Sequence, residues 1–226
     1  MSKSKQQAQK EPEINVEQAL SNAEVFLTKH KNTLLYVLLG IIGIAVVVFA
    51  YNKLYLESLR QEAQAQMFTA EQYFREDSFD LALNGDGNAW GFKQIMDEYG
   101  SKAGKVVYFY TGVCLLQTEQ YSEAIEVLKK YNVKDEITTA RALACIGDAY
   151  VELDNLPEAV TYFLKAANYR NNSYAAKYLM KAGLVYEEMG DTAGALKTYQ
   201  RVKDDYSQTT EGREIDKYIA RLEPTL

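Results

Sequence analysis

Hydrophobic and polar residues are distributed unevenly along the chain. The stretch TLLYVLLGIIGIAVVVFAY, from Thr33 to Tyr51, has no charged residue, and Lys31 and Lys53 bracket it. A helix rises about 1.5 Å per residue, so such a run is long enough for the roughly 30 Å hydrocarbon core of a bilayer. Because the run is apolar on every side, it lacks the polar stripe of a soluble helix. The pattern predicts a transmembrane helix at residues 33–52 that contacts membrane lipid.

A cleaved signal peptide is the alternative for this segment. Val48-Phe49-Ala50 offers small residues of the kind found at cleavage sites. A signal peptide, however, has a short basic start and an apolar run of about 7–15 residues. Here a mostly polar tail, residues 1–32, comes first and ends in a short amphipathic helix. An anchor is therefore the preferred interpretation, and a secreted, cleaved form stays open.

The charges around the span give its orientation. Five lysines and four glutamates precede it, whereas acidic residues outnumber basic ones in the part that follows. The positive-inside rule then favours an N-terminus in the cytoplasm and a C-terminal domain in the periplasm, anchored in the bacterial inner membrane. Close to the span the bias is weak, because Lys29 and Lys31 face Lys53 and Arg60 across it. The opposite orientation therefore stays open.

Residues 53–104 predict a connecting helix followed by a degenerate first repeat. Apolar residues recur at every third or fourth position after the span, as one face of a helix requires; they are Leu56, Leu59, Ala63, Met67, Ala70 and Phe74. The sequence NGDGN, residues 84–88, then interrupts the pattern with strong turn chemistry. It resembles the start of a calcium loop, but Ala89 and Ile95 stand where that motif needs Gly and Glu. We interpret it as a plain turn.

Three glycines mark an internal repeat, because Gly112, Gly147 and Gly183 follow one another at nearly equal spacing. Each is followed by a large residue, then by an alanine, then by a second large residue, always at the same distances; these sets are Leu115, Ala124 and Leu128, then Tyr150, Ala159 and Phe163, then Tyr186, Ala195 and Tyr199. A glycine and an alanine on facing helices let the helices approach closely, and the large residue fills the space between them.

This skeleton resembles the tetratricopeptide repeat, whose pattern includes Gly-x2-Tyr and Ala-x3-Phe with a period of about 34 residues. The Trp and the closing Pro of that pattern are missing here. The resemblance implies three repeats over residues 105–209 and a capping helix at residues 210–226. The predicted fold is all-α, with an N-terminal transmembrane helix followed by a tetratricopeptide-repeat superhelix.

Few residues are candidates for chemistry. His30, the one histidine, lies beside the predicted membrane span, so the repeat domain cannot hold a catalytic triad with histidine. The sequence also lacks a phosphate-binding glycine loop, and its acidic character argues against nucleic acid. We therefore predict no enzyme, catalytic residue, cofactor or metal. Cys114 and Cys145 are interpreted as small core residues, with a disulfide between them as the alternative.

The repeat register also predicts a concave protein-binding groove lined by the first helix of each repeat. Its predicted residues are Phe109, Val113, Leu116, Arg141, Asp148, Val151, Lys177, Met180, Leu184 and Glu187. Such an apolar groove with a few charges suits an amphipathic helix or an extended apolar segment. The alternative is that the connecting helix covers part of it.

One span before C-terminal repeats resembles the ancillary subunit of the bacterial Sec translocon, and LALNGDGNAWGF is similar to its Bacteroidetes members. The resemblance implies a non-catalytic adaptor whose partners are translocon subunits and a membrane-anchored chaperone, a prolyl isomerase or an emerging polypeptide. A homo-oligomer is compatible with the sequence. The competing hypothesis is a cytosol-facing docking receptor or scaffold with a single span.

Overall fold

The computed structural model describes the backbone of residues 16–223 and the side chains of residues 24–223. Residues 1–15 of the predicted polar tail and the last three residues of the predicted cap lie outside the described residues. The chain divides into two compact units, residues 1–55 and residues 56–226.

The first unit contains one long helix, α1 (Val16–Ala50), which includes all but the last two residues of the segment predicted as a span. It is long and apolar enough to cross a membrane. Its apolar side chains stand exposed, and Ile44 and Val47 each expose 68% of their surface. A continuous exposed apolar surface of this kind is typical of a segment that contacts a membrane or another protein.

The second unit is built from helices, and a single isolated antiparallel β-bridge joins Gly85 to Trp90 among the described residues. A π-helical segment, Tyr51–Leu56, precedes it. The helices are α2 (Glu57–Arg75), α3 (Phe79–Asn84), α4 (Phe92–Tyr99), a 3-10 turn (Gly100–Ala103), α5 (Val106–Gln117), α6 (Tyr121–Leu128), α7 (Glu136–Glu152), α8 (Leu156–Asn168), α9 (Ala175–Glu188), α10 (Thr192–Asp205) and α11 (Thr210–Leu222). Each helix packs against its neighbour in sequence. The fold is the all-α repeat array that the sequence predicts.

The three glycines lie where paired helices touch. Leu128 packs against Gly112, Phe163 against Gly147, and Tyr199 against Gly183, so that a Cβ atom at any of these glycines would overlap the facing side chain. Ala124, Ala159 and Ala195 are fully buried on the second helix of each pair. The pairs α5–α6, α7–α8 and α9–α10 therefore share one packing scheme.

One turn geometry joins the two helices of every pair. Glu119, Asp154 and Gly190 have positive φ angles of 64°, 56° and 73°. The next amide nitrogen then donates to the carbonyl oxygen five residues earlier, as between Asn155 and Tyr150 at 2.9 Å. This is the Schellman ending of a helix, which satisfies carbonyl groups that the helix leaves unpaired. The residue that donates this hydrogen bond is also the N-cap of the next helix.

The α2–α3 pair has the same turn and is a shortened first repeat. Asp77 has a φ angle of 55°, and the amide of Ser78 donates to the carbonyl of Tyr73 at 2.9 Å. Counting from this turn, Ala70 occupies the glycine position and Ala82 the alanine position. Both are buried. The second helix, α3, ends at Asn84, before it can supply a large residue to face Ala70.

The NGDGN loop closes this shortened unit. The Asp86 carboxylate accepts hydrogen bonds from the amides of Asn88 and Ala89 at 2.8 and 2.7 Å and from the Tyr73 hydroxyl at 2.8 Å. These donors hold the pKa of Asp86 below its ordinary value, the Ala89 amide having the largest effect. Asp86 stands at the position that Leu128, Phe163 and Tyr199 occupy in the other units. In this repeat, a hydrogen bond between Asp86 and Tyr73 thus replaces the apolar contact that a large side chain makes in the others.

Helix α11 covers the last pair. Ile215 is fully buried and Ile219 nearly so. The Arg221 guanidinium binds both carboxylate oxygens of Glu187 at 2.7 and 2.8 Å, and the Tyr199 hydroxyl donates to the same carboxylate at 2.5 Å. Glu187 therefore ties α9 to α10 and α11.

We expect Glu187→Ala to lower the free energy of unfolding by about 1–3 kcal/mol, because it leaves the buried Tyr199 hydroxyl without an acceptor. Urea unfolding of the full chain in detergent measures the change. Glu188→Ala is the matched control, since Glu188 is the exposed neighbour on the same helix. Equal stability of the two variants would show that the Glu187 network does not hold the cap.

Candidate protein-binding groove

A cleft of about 430 Å³ lies between the first helices of the three glycine-marked pairs. Its walls combine apolar, aromatic and charged side chains, namely Val113, Leu116, Gln117, Ile137, Arg141, Ala144, Cys145, Asp148, Tyr174, Lys177, Tyr178 and Lys181. Ile137 and Tyr174 expose 49% and 47% of their surface at this cleft. Half-exposed apolar side chains around a concave site are typical of a binding surface.

Positive charge predominates in the cleft. Lys181 pairs with Asp148 at 2.5 Å and so links α9 to α7. The Arg141 guanidinium lies 5.8 Å from the centre of the Phe109 ring. Neither Arg141 nor Lys177 forms an ion pair with a carboxylate of residues 24–223. Two cations thus line the cleft with no carboxylate of residues 24–223 within ion-pair distance.

A second hollow of about 380 Å³ continues the first, and Leu116, Gln117 and Asp148 line both. Its other lining residues are Glu119, Tyr121, Val151 and Glu152. Burial raises the pKa of Tyr121, and the carboxylates of Glu152 and Glu119 raise it further. We call the two hollows together the groove.

The structure brings most of the predicted groove residues together and separates four. Val113, Leu116, Arg141, Asp148, Val151 and Lys177 line the groove. Phe109 and Met180 were expected there but do not line either hollow, and both belong to the hydrophobic cores. Phe109 packs against Tyr131 with ring centres 5.5 Å apart. Glu187 was expected there too, but it is engaged with Arg221 and Tyr199.

Leu184 is the fourth separated residue. It is 45% exposed on α9, one to two turns beyond the residues of that helix that line the groove. The repeat register therefore places it on the correct helix but outside the cleft.

Several lining residues escaped the sequence prediction. Ile137 and Lys181 each lie one helical turn from a predicted residue, Arg141 and Lys177, so the spacing of four could have indicated them. Tyr174 precedes α9 and Tyr178 lies within it. Burial raises the pKa of Tyr178 to about 12. No repeat position predicts Tyr174, because it lies in the connection between repeats.

Both cysteines are free and buried, so the structure supports the interpretation as core residues. Burial raises the pKa of Cys114 to about 12 and that of Cys145 to about 11. A thiol with a raised pKa is a poor nucleophile at neutral pH. Cys145 lies at the floor of the groove as a small apolar contact.

The connecting helix leaves the groove open. Helix α2 packs against α3, α4 and the 3-10 turn. The lining residues of the groove come from α5, from α7, from α9 and from the residues next to these helices and to α6. The alternative of a groove covered by the connecting helix therefore does not hold for the described residues.

Within residues 24–223, no three side chains of His, Cys, Asp or Glu cluster closely enough to hold a metal ion. The calcium interpretation of the NGDGN loop has no support in its geometry either, since the Asp86 oxygens already accept bonds from the loop itself and from Tyr73.

Comparison with known proteins supports the repeat assignment. Two family models, each described as tetratricopeptide repeat, match residues 140–173 and 177–209. Among curated proteins, a sequence comparison finds no match. The crystal structure of MamA protein aligns over 72% of this chain and 88% of its own, with 21% identity and a TM-score of 0.51. A second MamA crystal structure covers 68% and 91%, with 21% identity and a TM-score of 0.49.

The likeness to MamA shows the fold alone at this identity. The two matched segments coincide with α7–α8 and α9–α10, and α5–α6 has the same glycine contact and turn. The second unit of this chain is thus an array of helix pairs that contains tetratricopeptide repeats at residues 140–173 and 177–209.

Proposed function

We propose that this protein is a membrane-anchored, non-catalytic adaptor that holds a segment of a protein partner in the groove. The open groove carries this proposal, because Ile137 and Tyr174 remain about half exposed on the wall of a concave cleft that three helices line. Tetratricopeptide repeats form extended concave surfaces of this kind. A concave wall of apolar and charged side chains suits a peptide segment better than a small substrate.

The anchor in this proposal is residues 33–52, from α1 into the π-helical segment, with the N-terminus in the cytoplasm and the repeats in the periplasm. The exposed apolar surface of α1 supports membrane insertion. The resemblance in architecture points to the Sec translocon as the place of action. The partners would then be translocon subunits, an emerging polypeptide, or a membrane-anchored chaperone or prolyl isomerase.

Photo-crosslinking in intact cells tests the partner. We expect benzoylphenylalanine at Tyr174 to capture a translocon subunit or an envelope chaperone. The same label at Phe68 is the matched control, because Phe68 is an aromatic residue of α2 that is 59% exposed and does not line the groove. Equal crosslinks from both positions, or none to envelope proteins, would contradict the adaptor proposal.

Protease treatment of spheroplasts tests the orientation. We expect residues 58–226 to be degraded from outside, whereas a cytosolic marker stays intact. Degradation only after lysis would put the repeats in the cytosol and replace the translocon proposal with a cytosol-facing docking receptor. A mature chain that begins after Ala50 would instead show cleavage and secretion.

A further inference from the structure

The groove has opposite charges at its two ends. Arg141 and Lys177 line the first hollow, and we call them the basic end. Glu119 and Glu152 line the second hollow, and we call them the acidic end. Leu116 lines both hollows between the two ends, and a small part of its apolar side chain is exposed there.

None of these four charges is neutralised by an ion pair within residues 24–223. Asp148, at the junction of the two hollows, is already paired with Lys181 at 2.5 Å. The fold therefore pairs the charges at the middle of the groove and leaves both ends unpaired. An occupant that brings the complementary charges would remove an unfavourable field at each end.

We infer that the groove takes a partner segment with acidic side chains at one end, basic side chains at the other and apolar side chains between them. This inference rests on the proposed function and names the chemistry of its partner. The acidic side chains lie against Arg141 and Lys177, and the basic ones against Glu119 and Glu152. The segment then binds in one direction only, because reversal would set like charges against each other at both ends.

A uniformly acidic segment fits less well. It would gain at the basic end but meet Glu119 and Glu152 at the other, and like charges placed together cost binding energy. A uniformly basic segment has the reverse difficulty. A purely apolar segment would leave all four charges partly desolvated without partners.

Three short synthetic peptides of equal length test the inference against the detergent-solubilised full chain. The block peptide has glutamates in one half and lysines in the other, with apolar residues between them. The mixed peptide has the same composition with the charges alternating, and the neutral peptide has glutamine at all charged positions. Fluorescence anisotropy should show the block peptide binding about tenfold more tightly than either of the others, with a preference that fades as salt is added.

Charge reversal in the protein gives the stronger test. Arg141→Glu with Lys177→Glu should weaken binding of the block peptide, and so should Glu119→Lys with Glu152→Lys. All four changes together should restore the affinity, since the peptide then binds in the opposite direction. A photoreactive group on the acidic end of the peptide should move from α9 in the native chain to the connection between α5 and α6 in the fourfold variant.

Lys130→Glu with Lys197→Glu is the control, because both lysines are exposed and neither lines the groove. This variant should bind the block peptide as the native chain does. Unchanged thermal melting of every variant excludes loss of folding as the cause.

Equal binding of the block and mixed peptides would overturn the directional claim, and equal binding of the neutral peptide would overturn the role of charge. In both cases a segment still occupies the groove, so the proposed function stands. If none of the peptides binds, the inference is also overturned. The proposed function is then tested separately by the crosslinks from Tyr174. Displacement of the block peptide by a second copy of the chain, abolished by the same reversals, would assign the groove to self-association instead.

Discussion

Replacing Gly147 with leucine is expected to lower the free energy of unfolding by about 2 kcal/mol or more. A Cβ atom at residue 147 would stand 2.7 and 2.8 Å from two carbons of the Phe163 ring, far inside van der Waals contact. Phe163 is 1% exposed and has no room to withdraw. The better helix propensity of leucine, about 0.8 kcal/mol, offsets only part of this cost.

Thermal melting of the full chain in detergent measures the loss, expected as a fall of roughly 4–8 °C for a domain of this size. Thr161→Leu, at an exposed position on the facing helix, is the control and should leave the melting temperature nearly unchanged. Adding Phe163→Ala to Gly147→Leu should cost less than the two separate losses combined, because the residues share one contact. An unchanged melting temperature for Gly147→Leu alone would refute this packing of α7 on α8.

The helix packing was predictable because it depends on residues that recur within the chain itself. Gly112, Gly147 and Gly183 identified the contact points, and the small residue with its facing large residue is a local rule that needs no knowledge of the rest of the fold. The repeat formed by α2 and α3 was harder to recognise in the sequence because Ala70 takes the place of the glycine. Its spacing to Tyr73 and Ala82 equals that of the other units and could have fixed the register.

The groove was less predictable. A repeat pattern predicts which face of a helix a residue occupies, but it does not predict which other elements cover that face. Glu187 lies on α9 in the predicted register, but Arg221 from the terminal helix α11 recruits its carboxylate. Phe109 lies on the same helix as Val113, and its ring is covered by Tyr131 after α6 and by Arg141. Tyr174 belongs to a connection between repeats, where the pattern makes no statement.

The turn in the NGDGN loop was predictable, whereas its contact with Tyr73 was not. Its glycines predicted a turn, and Gly85 and Gly87 have φ angles of 83° and 88°. The bond from the Tyr73 hydroxyl to Asp86 joins positions 13 residues apart and depends on how α2 packs against α3. The local sequence determines the turn, whereas the hydrogen bond from Tyr73 to Asp86 forms only when α2 and α3 have packed together.

A steep loss of stability above pH 9 is the second large effect expected of this fold. Burial raises the pKa of Cys114 from its ordinary value of 9.0 to about 12 and that of Cys145 to about 11. It also raises the pKa of Tyr178 from 10.0 to about 12. Tyr199 is shifted in the same direction, by burial first and by its bond to Glu187 second.

The direction of this change in stability with pH follows from the number of protons that the folded and unfolded states bind. Above pH 9 the unfolded chain loses thiol protons, and above pH 10 it loses phenol protons, while the folded chain keeps both. The folded state then binds more protons, so the free energy of unfolding falls as pH rises, by about 1.4 kcal/mol per pH unit for each such group. The stability that these groups contribute is complete below pH 9 and is lost as pH rises toward 11–12.

Urea unfolding of the full chain in detergent and reductant, repeated from neutral pH to pH 11, measures this slope. Tyr178→Phe removes one titrating group from the fold, so its stability should fall less steeply above pH 10 than that of the native chain. Tyr174→Phe is the matched control, since Tyr174 is 47% exposed and lies one helical turn away. A stability that stays flat to pH 11, or identical slopes for the two variants, would show that these buried groups do not hold their protons against the solvent.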